Sequence, residues 1–158
     1  MKALFDSMPQ EGNVVWISIR PKKRGDLQVV NQVDVSIDEG LIGDHYAAKN
    51  RKRQVTLIQY EHLQAVSSIL KKEVIAPQLV RRNIVVKGIN LLALKNQRFA
   101  IGEVILETTG NCHPCSRMEE NLGKGGYNAM RGHGSITTTV IKGGLIKQGD
   151  TVRLIVKK

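Results

Sequence analysis

Short runs rich in valine, isoleucine and threonine recur along almost the whole chain, and glycine-containing turns separate them. The runs lie at residues 14–20, 29–37, 54–58, 84–86, 99–106, 136–141 and 152–156. β-Branched residues in runs of this length, bounded by turn signals, predict β-strands. Many short strands with frequent turns predict a mostly-β domain that closes into a barrel-like structure.

One segment has helical rather than strand periodicity. Leu63, Val66, Ile69 and Leu70 recur at helical spacing within residues 60–73, which predicts an amphipathic helix, and Pro77 prevents its continuation. We therefore expect one or two short helices in a single domain that spans residues 1–158. No strand leads into G-x-G-x-x-G and no G-K-[S/T] follows the glycines, which excludes the dinucleotide-binding and P-loop patterns.

The composition limits the partners. The formal net charge is +10, which favours an anionic partner such as a nucleic acid, a membrane surface or a phosphorylated small molecule. Aromatic residues make up only 4% of the chain, so base stacking is a poor candidate for binding. With no secretion signal, no membrane-spanning run and two cysteines, we expect a cytoplasmic protein.

Both cysteines lie in one short stretch, Thr109 to Arg117, which a strand-like run enters. Pro114 restricts its own φ and the conformation of the residue before it, so the loop presents Cys115 on a stiff backbone. His113 and Arg117 flank this thiol by two residues on either side. Nearby positive charge favours the thiolate, which is both a nucleophile and a metal ligand.

Four interpretations of this C-x-x-C stretch compete. A dithiol redox pair needs a helix directly after it, and the sequence predicts none there. A zinc site could use Cys112, His113, Cys115 and His133, but there is no second C-x-x-C. The spacing favours about equally a single reactive or metal-binding Cys115, with Cys112 incidental, and two inert buried cysteines.

A glycine-rich, basic segment follows at residues 122–135, with Lys124, Arg131 and His133 among its glycines. Glycine backbones allow N–H groups to converge on an anion, so the segment is a candidate anion site, and a flexible surface loop is the alternative. Two further basic clusters, at residues 20–24 and 49–53, are candidate anion contacts or solvated turns.

Four stretches together resemble the MOSC domain family, which shares its domain with the C-terminal part of molybdenum cofactor sulfurases. They are residues 40–45 followed by 53–57; 82–84 with 88–91; 99–107; and the C-x-P-C of residues 112–115 with 149–152. The resemblance covers about residues 15–154 and is nearest to the short, stand-alone bacterial members.

The resemblance implies a β-barrel that binds the molybdenum cofactor, a molybdopterin. It implies that Cys115 is the molybdenum ligand or a sulfur carrier, and that Asp44, His45, Arg82 and Asn83 line the pocket. The cofactor's phosphate would then explain the basic side chains, and the corresponding candidates are Arg20, Lys22, Arg53, Arg117, Arg131 and His133. His45 and His113 are candidate proton donors, because imidazole titrates near neutral pH.

These 158 residues show no resemblance to the pyridoxal-phosphate-dependent desulfurase domain of the sulfurases, so we expect no release of sulfur from free cysteine by that route. The family's stand-alone members imply a reductase of N-hydroxylated bases or related N-oxygenated compounds, which would need a separate electron-donor protein. The alternatives are a sulfur carrier that holds a persulfide on Cys115, loaded by a desulfurase, and a non-catalytic nucleic-acid-binding barrel. We expect a small-molecule substrate and no membrane partner.

Overall fold

A computed structural model describes residues 1–45, 51–133 and 135–156. These residues form eleven β-strands and four α-helices. The strands are β1 (Gly12–Ile19), β2 (Gln28–Val30), β3 (Gln32–Ser36), β4 (Gly40–Leu41), β5 (Val55–Gln59), β6 (Ile84–Lys87), β7 (Arg98–Ile101), β8 (Val104–Cys112), β9 (Ser135–Lys142), β10 (Gly144–Lys147) and β11 (Thr151–Ile155). The helices are α1 (Lys2–Phe5), α2 (Tyr60–Ile69), α3 (Ser116–Leu122) and α4 (Gly126–Met130).

Seven strands close into a barrel, which confirms the predicted mostly-β, barrel-like fold. Their order around the barrel is β11-β7-β8-β9-β5-β6-β1, and the pairing of β1 with β11 closes it. β5 and β6 pair in parallel, and α2 lies between them in the sequence. Parallel neighbours need such a crossover because a tight turn can join only antiparallel strands.

The barrel interior is aliphatic, as the low aromatic content predicts. Alternate residues of each strand face inward, because successive side chains of a strand point to opposite faces. Val55 and Leu57 of β5, Ile84 of β6 and Ile136 of β9 all belong to this buried cluster. Phe99 is fully buried within it.

A second buried cluster lies where helices cover the barrel wall. Ile58 of β5 and Val85 of β6 pack with Met118 and Leu122 of α3 and with residues of α2 and α4. The number of helices is larger than the one or two expected. The prediction that no helix follows the cysteines is wrong, since α3 begins at Ser116, directly after Cys115.

A small sheet of order β10-β3-β4 flanks the barrel. The buried side chain of Gln54 joins the two parts, because its Nε2 donates to the carbonyl of Ile37 at 2.7 Å and its Oε1 accepts from the amide of Val140 at 2.8 Å. The run predicted as one strand at residues 29–37 is divided into β2 and β3 at Asn31. Among the described residues, no helix is long and apolar enough to cross a membrane.

Candidate functional site

The two cysteines occupy different environments although they are three residues apart. Cys112 is the last residue of β8, pairs with Ser135 of β9, and is only 4% exposed. Cys115 is exposed and precedes the first residue of α3. The carbonyl of Cys115 accepts a hydrogen bond from the amide of Met118 at 2.9 Å, which fixes the start of the helix.

A cationic cavity lies beside the buried thiol. It has a volume of about 450 Å³ and is lined by Lys52, Arg53, Thr137 and residues 109–113. Because Cys112 lies in its wall, we refer to it as the Cys112 cavity. Nη2 of Arg53 approaches Sγ of Cys112 to 3.6 Å, so a guanidinium contacts the buried sulfur. This arrangement combines cations, hydroxyl groups and a thiol in one concave surface.

A smaller cavity of about 130 Å³ also adjoins the cysteine segment. Residues 111–114, Leu92, Gly132 and Ser135 line it, and we refer to it as the His113 cavity. Cys112 and His113 therefore line two cavities at once. Cys115 is not among the residues that line either of them.

The candidates Arg20, Asp44, His45, Arg82 and Asn83 come together around a third space, the Arg20 cavity. Its volume is about 30 Å³, which is room for only one or a few water molecules. The structure thus brings these five candidates together, and Cys115 is not among the residues that line this space. The space between them is much too small for a whole pterin cofactor.

Asp44 and His45 hold the backbone at the end of β1. Oδ1 of the buried Asp44 accepts from the amide of Arg20 at 2.7 Å, and Nδ1 of His45 donates to the carbonyl of Arg20 at 2.8 Å. The carbonyl partner assigns the proton to Nδ1. Nε of Arg20 is buried and has no hydrogen-bond partner among the described residues. Such a donor fits a ligand oxygen or a water in the Arg20 cavity.

Arg82 and Asn83 also bind groups of the protein itself. Nε of the buried Arg82 donates to Oγ of Ser135, and its Nη1 donates to the carbonyl of Val80 at 3.0 Å. Oδ1 of Asn83 accepts from the amide and the hydroxyl of Thr56, both at 3.0 Å. Since Ser135 lines the His113 cavity, Arg82 spans the distance between two of the three spaces.

A row of polar residues crosses the barrel wall and joins the Cys112 cavity to the Arg20 cavity. Thr109 of β8 and Thr137 of β9 share a hydrogen bond of 2.8 Å between their hydroxyls. Thr137 pairs with Thr56 of β5, which binds Asn83, and Nδ2 of Asn83 donates to the carbonyl of Ser18 in β1 at 3.4 Å. The candidate site is therefore one continuous polar band rather than separate patches.

The glycine-rich segment has an anion partner within the chain. The amides of Gly125 and Tyr127 donate to the two carboxylate oxygens of Glu119, each at 2.9 Å. These bonds, that of Tyr127 first, lower the pKa of Glu119 below its usual range. The expectation that this segment offers its amides to a ligand is therefore wrong for Gly125 and Tyr127. Gly134 lies outside the described residues.

The remaining cationic candidates, Lys22, Arg117, Arg131 and His133, line none of the three cavities. Lys22 is exposed in the loop after β1, and Arg117 is half-buried on α3. Nδ1 of His133 bonds to the carbonyl of Ala129 at 2.9 Å, and its ring meets that of His62 edge-to-face at 5.5 Å. Lys49, part of the second basic cluster, lies outside the described residues.

A zinc site at the cysteine stretch is not supported. Within residues 1–45, 51–133 and 135–156, no group of three or more histidine, cysteine, aspartate and glutamate side chains is placed to hold a metal ion. Any metal at this site would need ligands from a cofactor in addition to a protein thiolate.

Neither the hydroxyl side of the Cys112 cavity nor the role of Glu119 was predicted from the sequence. The alternation of β9, in which Ile136 and Val140 are buried in the barrel core, places Thr137 on the other face of the strand. That signal was present in the sequence. No short-range pattern links Glu119 to amides six and eight residues away.

The MOSC domain family profile matches residues 41–153. No curated protein matches the chain. The fold is similar to that of YuaD from Bacillus subtilis, with a TM-score of 0.81, 16% identity, and coverage of 94% of this chain and 98% of the other.

It is also similar to two YiiM structures. The protein from Geobacillus stearothermophilus has a TM-score of 0.73 and 15% identity, with coverage of 92% of this chain and 75% of the other. The protein from Escherichia coli has a TM-score of 0.70 and 16% identity, with coverage of 92% and 71%. At these identities the similarity concerns the fold.

Proposed function

The chain belongs to the MOSC domain family, whose members are linked to the molybdenum cofactor, and from that premise we propose that it binds this cofactor in the Cys112 cavity. We further propose that it is an oxidoreductase that reduces N-hydroxylated bases or related N-oxygenated compounds. The observation that carries the proposal is the cationic cavity beside the C-x-P-C stretch.

The residues present fit such a cofactor. A volume of about 450 Å³ is within the ordinary range for a small-molecule site, roughly 300–1,000 Å³. Lys52 and Arg53 supply positive charge for a phosphate group. The hydroxyl of Thr109 donates to the carbonyl of Lys52 and that of Thr137 bonds to it in turn, so both can accept a hydrogen bond from an N–H of a pterin. A thiolate suits a metal that sulfur already ligates. When bound, the cofactor would supply two-electron chemistry at the metal.

Side chains of the protein would hold the cofactor, orient the substrate and supply protons to it. Cys115 is the proposed metal ligand. It lines neither cavity, so residues 113–115 would have to shift to bring its thiol to the mouth of the Cys112 cavity. His113 lines the Cys112 cavity and is exposed, so its imidazole can pass a proton from solvent to a bound substrate. His45 lies at the Arg20 cavity, and we propose it as the second candidate for proton transfer.

A separate electron-donor protein would supply the electrons. The direct test is reduction of an N-hydroxylated base by the purified protein with a reduced viologen in place of that donor. Turnover should be lost in Cys115→Ser, and substitution of the neighbouring exposed Ser116 by alanine should leave it within about threefold, as for most surface changes. Equal turnover in Cys115→Ser and the wild type would contradict the proposed ligand.

One observation favours a second candidate function, a sulfur carrier. Cys115 is exposed and lines neither cavity, which suits a thiol that must meet another protein. A cysteine desulfurase would place a persulfide on Cys115, and the half-buried Arg117 two residues away would help to stabilise its charge. A cyanide-labile sulfur on Cys115, in protein without reductase activity, is the expected result for a carrier.

A further inference from the structure

The thiols of Cys112 and Cys115 differ in the molecules that can contact them. Cys115 is exposed, whereas Cys112 is 4% exposed and lies in the wall of two cavities. A large protein donor can contact the first thiol and not the second. A small group inside the Cys112 cavity is close to the second thiol and not to the first.

The buried thiol also has a cation against it. Nη2 of Arg53 lies 3.6 Å from Sγ of Cys112, and Lys52 lines the same cavity. A guanidinium in this position stabilises negative charge on the sulfur. An inert core cysteine would be surrounded by apolar side chains instead.

We infer that Cys112 is a second functional thiol, which takes a sulfane sulfur from Cys115 and presents it to a ligand in the Cys112 cavity. This relay rests on the second candidate function, the sulfur carrier. It assigns loading by a protein partner to the exposed thiol and delivery to the buried one.

The transfer is balanced without an oxidant or a reductant. The Cys112 thiolate attacks the outer sulfur of the Cys115 persulfide, as in thiol–disulfide exchange. A bond forms between this sulfur and Sγ of Cys112, and the bond to Sγ of Cys115 breaks. Cys115 leaves as a thiolate and takes up the proton that Cys112 released, so that one persulfide and one thiol remain.

The chain geometry permits direct contact. Three residues of fully extended chain span at most about 11 Å between Cα atoms. A disulfide joins Cα atoms up to about 6.8 Å apart, and one inserted sulfur adds about 2 Å. The sulfur can therefore bridge the two thiols when the Cα atoms of Cys112 and Cys115 are within about 9 Å of each other. Residues 113 and 114 have no regular secondary structure, so a loop slightly shorter than full extension meets this limit.

The test is a single-turnover loading experiment with a cysteine desulfurase and L-cysteine. Free thiols and persulfides are alkylated at successive times, and peptide mass spectrometry locates the added sulfur. In the wild type the sulfur should appear first on Cys115 and then on Cys112. In Cys112→Ser it should stay on Cys115, and in Cys115→Ser loading of Cys112 should be at least about tenfold slower, because access limits the exchange.

Arg53 variants test the role of the cation separately. Arg53→Gln should slow the second step at least about tenfold and leave the first unchanged, whereas Arg53→Lys, which keeps the charge, should have the smaller effect. Two results would overturn the relay without contradicting the carrier function. One is sulfur that remains on Cys115 in the wild type, and the other is fast loading of Cys112 in Cys115→Ser. Absence of a persulfide on both cysteines would overturn the carrier function and the relay together.

Discussion

Nη2 of Arg53 lies 3.6 Å from Sγ of Cys112, and this contact places a positive charge in the wall of the Cys112 cavity, the larger of the two described beside the cysteine stretch. If an anionic cofactor binds there, Arg53→Gln should lower its affinity by about tenfold or more, because hydrogen bonds to charged groups are each worth about 1.5–3 kcal/mol. The measurement is cofactor retained per protein after dialysis. Lys23→Gln, which removes one exposed charge away from the cavity, is the matched control and should retain the wild-type amount.

Substitutions of Asp44 show whether this motif residue stabilises the fold or binds a ligand. Asp44→Ala should lower the free energy of unfolding by about 1–3 kcal/mol, because the amide of Arg20 would lose its acceptor in a buried position. Asp44→Asn keeps an acceptor oxygen and should lose much less. Denaturant unfolding checks both variants. Equal losses would show that the negative charge matters more than this hydrogen bond.

The bonds of Glu119 predict how the stability of the fold depends on pH. Because its pKa is lowered in the folded protein, the bonds to Gly125 and Tyr127 stabilise the fold above the unfolded-state value, near pH 4, and this contribution is lost as the pH falls through the lowered pKa. Glu119→Gln should therefore destabilise the protein at pH 7 and have less effect at pH 3. Glu120→Gln, also exposed, is the control. A difference between Glu119→Gln and wild type that did not shrink on acidification would contradict a role for the carboxylate charge.

Gly126 lies where α3 and α4 meet. A Cβ atom at this position would be 2.6 Å from Cβ of Leu122 and 2.6 Å from the carbonyl oxygen of Met118. Gly126→Ala should thus cost about 1–3 kcal/mol of unfolding free energy, the usual range for overpacking. Gly110→Ala is the control, because its nearest contact would be an ordinary 3.7 Å from Oγ1 of Thr137. Wild-type stability in Gly126→Ala would show that the two helices separate easily.

The strands could be predicted from the sequence because their signals are local. β1, β5 and β9 contain β-branched runs bounded by turn residues, and each lies within two residues of its predicted bounds. The helical spacing within residues 60–73 also predicts α2. It ends at Ile69, earlier than predicted, because the chain turns at Lys71 with a left-handed φ of 56°.

The helices after the cysteines could not be predicted, because contacts distant in sequence determine them. α3 has only seven residues, and isolated helices of that length are marginal in water. Its buried residues Met118 and Leu122 pack against Ile58 and Val85, which are far away in the chain. The same holds for the candidate site, where the pairing of β8 with β9 brings the hydroxyls of Thr109 and Thr137 together.

Metal analysis of the purified protein tests the central claim most directly. The protein should be produced in a host that synthesises the molybdenum cofactor, and its molybdenum and pterin contents measured. We expect about one of each per chain in the wild type and in Lys23→Gln, with molybdenum lost in Cys115→Ser because a thiolate ligand is removed. Wild-type protein that contains neither molybdenum nor pterin would contradict the proposed function.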